Sequence, residues 1–166
     1  PVDWNNTVVA STDNYVEQQA KKQNKTYSEI FKATMPRAVA HMAQTVVDAV
    51  DANQDIIWDQ TNLGVGKRRK IINRMKQAGY QIRCECIVPP ESDYNGDKED
   101  WAQDWAHRLA NRLGKTIPQN IMKNMIESFT IPSIEEGFDM VTFYNMHGAI
   151  VGIDYGENTN EEVYCW

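Results

Sequence analysis

Two aspartates stand where short apolar runs give way to polar residues: Asp13 shortly after Thr7-Val8-Val9-Ala10, and Asp59 at the end of Asp55-Ile56-Ile57-Trp58. If both runs are strands of one parallel sheet, both carboxylates emerge at its carboxyl edge, where open α/β sheets bind their ligands. A carboxylate pair at such an edge suits phosphoryl transfer, one member ordering a divalent cation or its water shell and the other accepting the proton of an attacking hydroxyl. Taken alone, an aspartate at a strand end is more often a turn or N-cap residue. Arg108 and Arg112 lie four apart, so on a helix their guanidiniums share a face and can close on one polyphosphate. The alternative is a solvated basic face.

The charge pattern is directional. From Gly66 to Arg83 the chain carries Lys67, Arg68, Arg69, Lys70, Arg74, Lys76 and Arg83 with no acid, whereas Glu91 to Asp104 holds six acidic residues against Lys98. Lys67, Arg68 and Arg69 are the substrate-binding candidates of that block, which otherwise only solvates its helix. The net charge of −6 argues against coating nucleic acid by bulk charge. With 166 residues, 42% of them hydrophobic, the chain has the size of one compact domain. No apolar run approaches the roughly 18–20 residues of a membrane span, and no signal peptide opens it, so a cytoplasmic protein without a membrane partner is expected. Cys84, Cys86 and Cys165 form no C-x-x-C pair and read as reduced, packed thiols. His41, His107 and His147 have no catalytic partner at a recognisable spacing.

The elements that must position these residues follow from periodicity. Strands are predicted at Thr7–Ala10, Asp55–Asp59 and Gln81–Val88. Thr26 with Glu29 has the form of a capping box opening a helix to Val50, which Pro36 should kink or split. Val39, Met42, Ala43, Val46, Val47 and Val50 are its expected buried stripe. A helix carrying Ile71, Ile72 and Met75 should end at Gly79. Trp101, Trp105, Leu109 and Leu113 recur along a helix closed by Gly114, and their spacing favours core packing over a base-stacking platform. Pro118 begins another helix, with Ile121, Met125 and Ile126 inward. Phe138–Tyr144 alternates as a strand, and Ala149–Tyr155 as its hairpin partner. Strands alternating with helices imply an α/β domain with a largely parallel sheet.

Asp59-Gln60-Thr61-Asn62-Leu63 followed by Lys67-Arg68-Arg69 is similar to the D-x-T-N-L…R-R signature of P-loop kinases of the polynucleotide-kinase type. Ser11-Thr12-Asp13-Asn14 falls where that family has its general base. Arg108-Leu109-Ala110-Asn111-Arg112 resembles its lid helix, and Ile117-Pro118 through Met125, Ser128-Phe129, Pro132 and Glu136-Gly137-Phe138-Asp139 resembles its structural tail. The resemblance covers roughly residues 7 to 144. It implies a P-loop NTPase-like three-layer domain with a helical lid, here the acidic loop and lid helix of 91–114, and a C-terminal hairpin. It implies ATP and Mg²⁺ as cofactors and a nucleic-acid or nucleotide hydroxyl as acceptor, a 5′-hydroxyl end first. Asp13 would be the base and acceptor contact, Asp59 would support Mg²⁺ and the donor, Asn62 would order the site, and Arg108 with Arg112 would neutralise the donor phosphates.

Two features depart from that pattern. No G-x-x-x-x-G-K-[ST] loop occurs: Gly114-Lys115-Thr116 has Leu109 where the first glycine belongs and follows a helix, not a strand. The expectation is a single kinase-like domain over 1–166 whose first strand, phosphate loop and first helix lie upstream, with a loop-less scaffold module as the alternative. The family's basic residue three positions after the base is Val16 here, which leaves the acceptor open, a phage kinase of hydroxymethylated DNA bases included. The oligomeric state is not legible.

Overall fold

A computed structural model describes residues 4–88, 114–145 and 147–156. They fall into two compact units, residues 4–61 with 114–118 and residues 62–88 with 119–145 and 147–156. The protein is mixed α/β with parallel strand pairing. The expected acidic loop and lid helix, with Trp101, Trp105, Arg108 and Arg112, lie outside the described residues, as does Cys165.

The first unit holds β1 (Thr7–Ser11) and β2 (Asp55–Asp59), paired in parallel with Thr7 opposite Asp55 and Ser11 opposite Asp59. Between them run α1 (Thr12–Gln23) and α2 (Tyr27–Asp51). The sequence reading missed α1 because its first turn, Thr12-Asp13-Asn14, looks like a loop. Ser11 caps it, its hydroxyl accepting the Asn14 amide at 3.3 Å, and Val16 and Ala20 carry its apolar face inward. Asn24, left-handed at φ 51°, ends it. The capping box forms as expected: the Thr26 amide donates to Glu29 Oε2 at 2.7 Å, and the Glu29 amide reaches Thr26 Oγ1 at 3.4 Å.

Pro36 does not split α2, which runs unbroken to Asp51. Thr34 and Ala38 are buried on either side of it, so packing against the unit holds both halves in one helix. The buried stripe is Ile30, Thr34, Ala38, Met42, Val46 and Ala49. Met42 and Val46 are buried as expected, whereas Val39 and Val47 are 54% and 40% exposed and Ala43 is exposed too, a correction to the expected stripe, which is completed instead by Ala38 and Ala49. Val16, Ala20, Ile30 and Ala38 form this unit's core, with Tyr15, Tyr27 and Met35 against it.

The second unit begins after Thr61. It holds α3 (Val65–Gln77), β3 (Arg83–Ile87), α4 (Gln119–Ser128), a 3-10 turn at Ile134–Glu136, β4 (Met140–Tyr144) and β5 (Ile150–Tyr155). β3 pairs parallel with β4, and β4 antiparallel with β5, the expected hairpin. Gly79 has φ 88° just past α3, as the helix stop requires. Cys86 is buried and Cys84 half-buried in β3, and burial pushes the Cys84 thiol up to about 12, so both are packing groups. α4 contains no buried residue; Ile121 and Ile126, expected inward, are exposed. Ile72, Phe138 and Val141 form the core.

Arg68 and Glu136, 4% and 8% exposed, join α3 to the 3-10 turn. Arg68 Nη2 donates to Glu136 Oε1 at 2.6 Å and Nε to Oε2 at 2.8 Å, a bidentate pair. Its remaining donors go to the carbonyls of Asn62, Leu63 and Thr130 and to Thr130 Oγ1. The hydrogen bonds from Arg68 hold the Glu136 carboxyl below its ordinary 4.5 against the opposing effect of burial. A carboxyl whose folded pKa lies below its unfolded value stabilises fully above the unfolded value, here 4.5, and loses that contribution as pH falls through the folded pKa. Arg68→Met, which strands the buried carboxylate, should cost about 3–5 kcal/mol in urea unfolding at neutral pH. Glu136→Gln should flatten the decline of stability below pH 4.5; an acid limb identical to that of the parent protein would show that another carboxyl sets it.

Candidate functional site

Asp13 and Asp59 stand at the same edge of the β1–β2 pair. Ser11 and Asp59 are register partners, and Asp13 follows Ser11 by two residues in the first turn of α1. Gln60 Nε2 donates to Thr12 Oγ1 at 2.7 Å, tying the two strand ends together where the carboxylates emerge. The positive end of α1 favours an anion at Asp13. Asp59 is exposed at the end of β2.

Both oxygens of Asp13 are engaged. The Tyr27 hydroxyl donates to Oδ1 at 2.7 Å, and the Lys115 ammonium lies against Oδ2. Lys115 Nζ is also 3.7 Å from Glu17 Oε1 and 4.3 Å from the centre of the Tyr27 ring. Burial first, then the hydrogen bond to Asp13 and the charges of Asp13 and Glu17, raise the pKa of the Tyr27 phenol, since its anion would face two carboxylates. Tyr27 and Lys115 escaped the sequence reading. Lys115 was set aside with the rejected phosphate-loop match, and nothing in sequence links positions 102 residues apart.

Asn62 begins the second unit in a left-handed conformation at φ 43°, which asparagine tolerates better than most residues. Its carbonyl accepts from Arg68 Nη1 at 3.1 Å. Lys67 and Arg69 are exposed on α3, and Arg68 is not. The expectation that all three contact substrate is therefore corrected for Arg68, whose guanidinium is enclosed by protein acceptors. The alternation of exposure along the α3 turn separates them: one of three adjacent cations faces the core.

Among the described residues no three of His, Cys, Asp and Glu converge as a metal-binding group. A lone carboxylate such as Asp59 still fits Mg²⁺, which is held by one or two carboxylates together with substrate phosphates and water. His41 packs against Tyr15 with ring centres 4.8 Å apart and planes tilted by 40°, and His147 lies in the hairpin turn. No helix among the described residues is long and apolar enough to cross a membrane.

A family model described as an AAA domain matches residues 2–132, well over half of the chain. A search of curated proteins gives no match.

The Tyr27 contacts predict a late-titrating phenol. Spectrophotometric titration should show tyrosines ionising above the ordinary value of 10.0, Tyr27 and Tyr144 among them, with one late phenol fewer in Tyr27→Phe and one moved back towards 10.0 in Asp13→Asn. A titration unaffected by Asp13→Asn would refute the contact.

Proposed function

The chain belongs to this AAA-domain family, a P-loop NTPase-like family that includes kinases, and on that premise we propose that it is the nucleotide-binding body of a phosphotransferase. The reaction moves the γ-phosphate of ATP onto a hydroxyl of a nucleic acid or nucleotide in the cytoplasm, a 5′-hydroxyl end of a polynucleotide first. The observation that carries the proposal is the shared edge: Asp13 and Asp59 at the carboxyl ends of two parallel strands in register, locked by the Gln60–Thr12 hydrogen bond.

Asp13 is the general base. The acceptor oxygen bonds to the γ-phosphorus, its proton passes to the Asp13 carboxylate, and ADP leaves with the electron pair of the broken bond. Asp59 holds Mg²⁺, which when bound neutralises phosphate charge. Asn62 orders the chain that follows β2. Arg108 and Arg112 are assigned to neutralising the donor phosphates, and Lys67 and Arg69 to the acceptor backbone.

No stretch of the sequence has the glycine-lysine spacing of a donor-phosphate loop, so on this reading the loop is supplied from outside residues 1–166.

The test is transfer of labelled γ-phosphate by the full polypeptide to 5′-hydroxyl DNA, 5′-hydroxyl RNA and base-modified DNA. Asp13→Asn should lower transfer by about 10²–10⁴-fold, the usual range for a general base, with ATP binding intact. Arg112→Ala should weaken both transfer and ATP binding. Turnover unchanged in Asp13→Asn would remove the proposed base.

A further inference from the structure

Gly114-Lys115-Thr116 is fastened to the start of α2. The Gly114 carbonyl accepts the Ser28 amide at 3.1 Å, and the Thr116 amide donates to Ser28 Oγ at 3.0 Å. Gly114 is left-handed at φ 72°, and a Cβ there would lie 3.3 Å from Thr26 Cβ and 3.4 Å from Thr26 Cγ2. Backbone conformation and close approach both require glycine. The residue between these two anchors is Lys115, whose side chain is 21% exposed and whose ammonium ends among Asp13, Glu17 and the Tyr27 ring.

That ammonium is shared by two carboxylates, Asp13 and Glu17, which leaves the cluster with a net negative charge. A lysine so compensated attracts an incoming phosphate poorly. What it does well is fix a neighbouring carboxylate. Tyr27 holds one oxygen of Asp13 and Lys115 the other, from opposite sides, and Glu17, one turn along α1, would otherwise repel Asp13. A carboxylate has about four acceptor positions. Tyr27 and Lys115 hold one each, and Asp13, with a side chain 44% exposed, remains reachable by an acceptor hydroxyl. Val16, the side chain one turn before Ala20, is fully buried in the core and contributes no charge here.

We propose that Lys115, held by the Gly114–Thr116 clamp on α2, is the positioning residue of the phosphoryl-acceptor site: with Tyr27 it aims the Asp13 carboxylate and does not grip the acceptor's phosphate. This rests on the phosphotransferase reading above. Aim acts on the chemical step, because a misplaced base loses the effective concentration that orientation provides. A phosphate grip acts on acceptor affinity.

The two are separated in the full polypeptide with ATP and a 5′-hydroxyl oligonucleotide. Lys115→Met should lower kcat by about tenfold or more, the scale of a misplaced catalytic group, with KM for the oligonucleotide within about twofold. Its acid limb should move to higher pH, since the cation that favours the ionised form is gone while Glu17 still disfavours it, the Tyr27 hydroxyl that donates to the carboxylate being present in both proteins. Lys115→Arg should restore part of kcat. Gly114→Ala, which keeps the lysine and breaks its anchor, should act in the same direction as Lys115→Met, with folding checked by circular dichroism. In parallel, carbon-13 titration of the Asp13 carboxyl in this chain should show its midpoint rising in Lys115→Met. A raised KM at unchanged kcat overturns the proposal in favour of a grip, and unchanged kcat and KM overturn it outright. No transfer by the parent protein to any acceptor overturns the phosphotransferase reading and the catalytic role with it, whereas an unmoved Asp13 midpoint overturns the pairing itself.

Discussion

Among the described residues of the second unit, the guanidinium of Arg68 joins the most separate segments. It sits in the first turns of α3 and reaches the carbonyls of Asn62 and Leu63 before the helix, Thr130 after α4, and both oxygens of Glu136 at the turn before β4. A buried cation must be paired and fully hydrogen-bonded or its desolvation is prohibitive. The segments that supply those acceptors are therefore held in place together. Glu136 is followed by Gly137, where φ is 109° and a Cβ would lie 3.1 Å from Ile72 Cγ2, and by Phe138, buried in the core. Asp139 then accepts the Ile82 amide at 2.6 Å and returns its own amide to the Ile82 carbonyl at 2.8 Å. The Glu-Gly-Phe-Asp run thus binds α3, its core and the entrance to β3 in four consecutive residues.

The first unit follows a different logic, in which the carboxyl edge of two strands is dressed with polar contacts while the apolar packing stays on the helices behind it. Val16, Ala20, Ile30 and Ala38 interlock between α1 and α2. With the helices fixed, Tyr27 at the start of α2 meets Asp13 at the start of α1, and the chain returning at Gly114 delivers Lys115 to the same spot. Site geometry here is a by-product of helix packing plus one glycine-dependent clamp. Asp59, on the strand itself, depends on none of this; its position follows from the β1–β2 register.

Sequence similarity marked Asp13, Asp59, Asn62 and the Arg68 block together, and the structure divides them by what surrounds each. Asp13 and Asp59 are at the carboxyl edge of the β1–β2 pair, Asn62 shapes a bend, and Arg68 is a structural tie while its neighbours Lys67 and Arg69 face outward. Three adjacent cations cannot all point one way on a helix, since successive residues turn by about 100°. A motif therefore names positions without saying which of them touch ligand.

The sequence by itself determined the strands β1 to β5, the capping box at Thr26, the helix stop at Gly79, the mixed α/β class and the two aspartates at strand ends, because each is written in local periodicity or in a residue's own conformational preference. It misplaced what depends on a partner: α1 was hidden by its polar first turn, Val39 and Val47 were assigned to the buried face of α2, and Ile121 and Ile126 were turned inward when they are exposed. Only tertiary structure decided that Arg68 meets Glu136 across 68 residues and that Lys115 meets Asp13 across 102. Such pairs leave no periodic trace, since a long side chain in either place is compatible with its own helix or loop, and the contact exists only once packing has brought the two segments together.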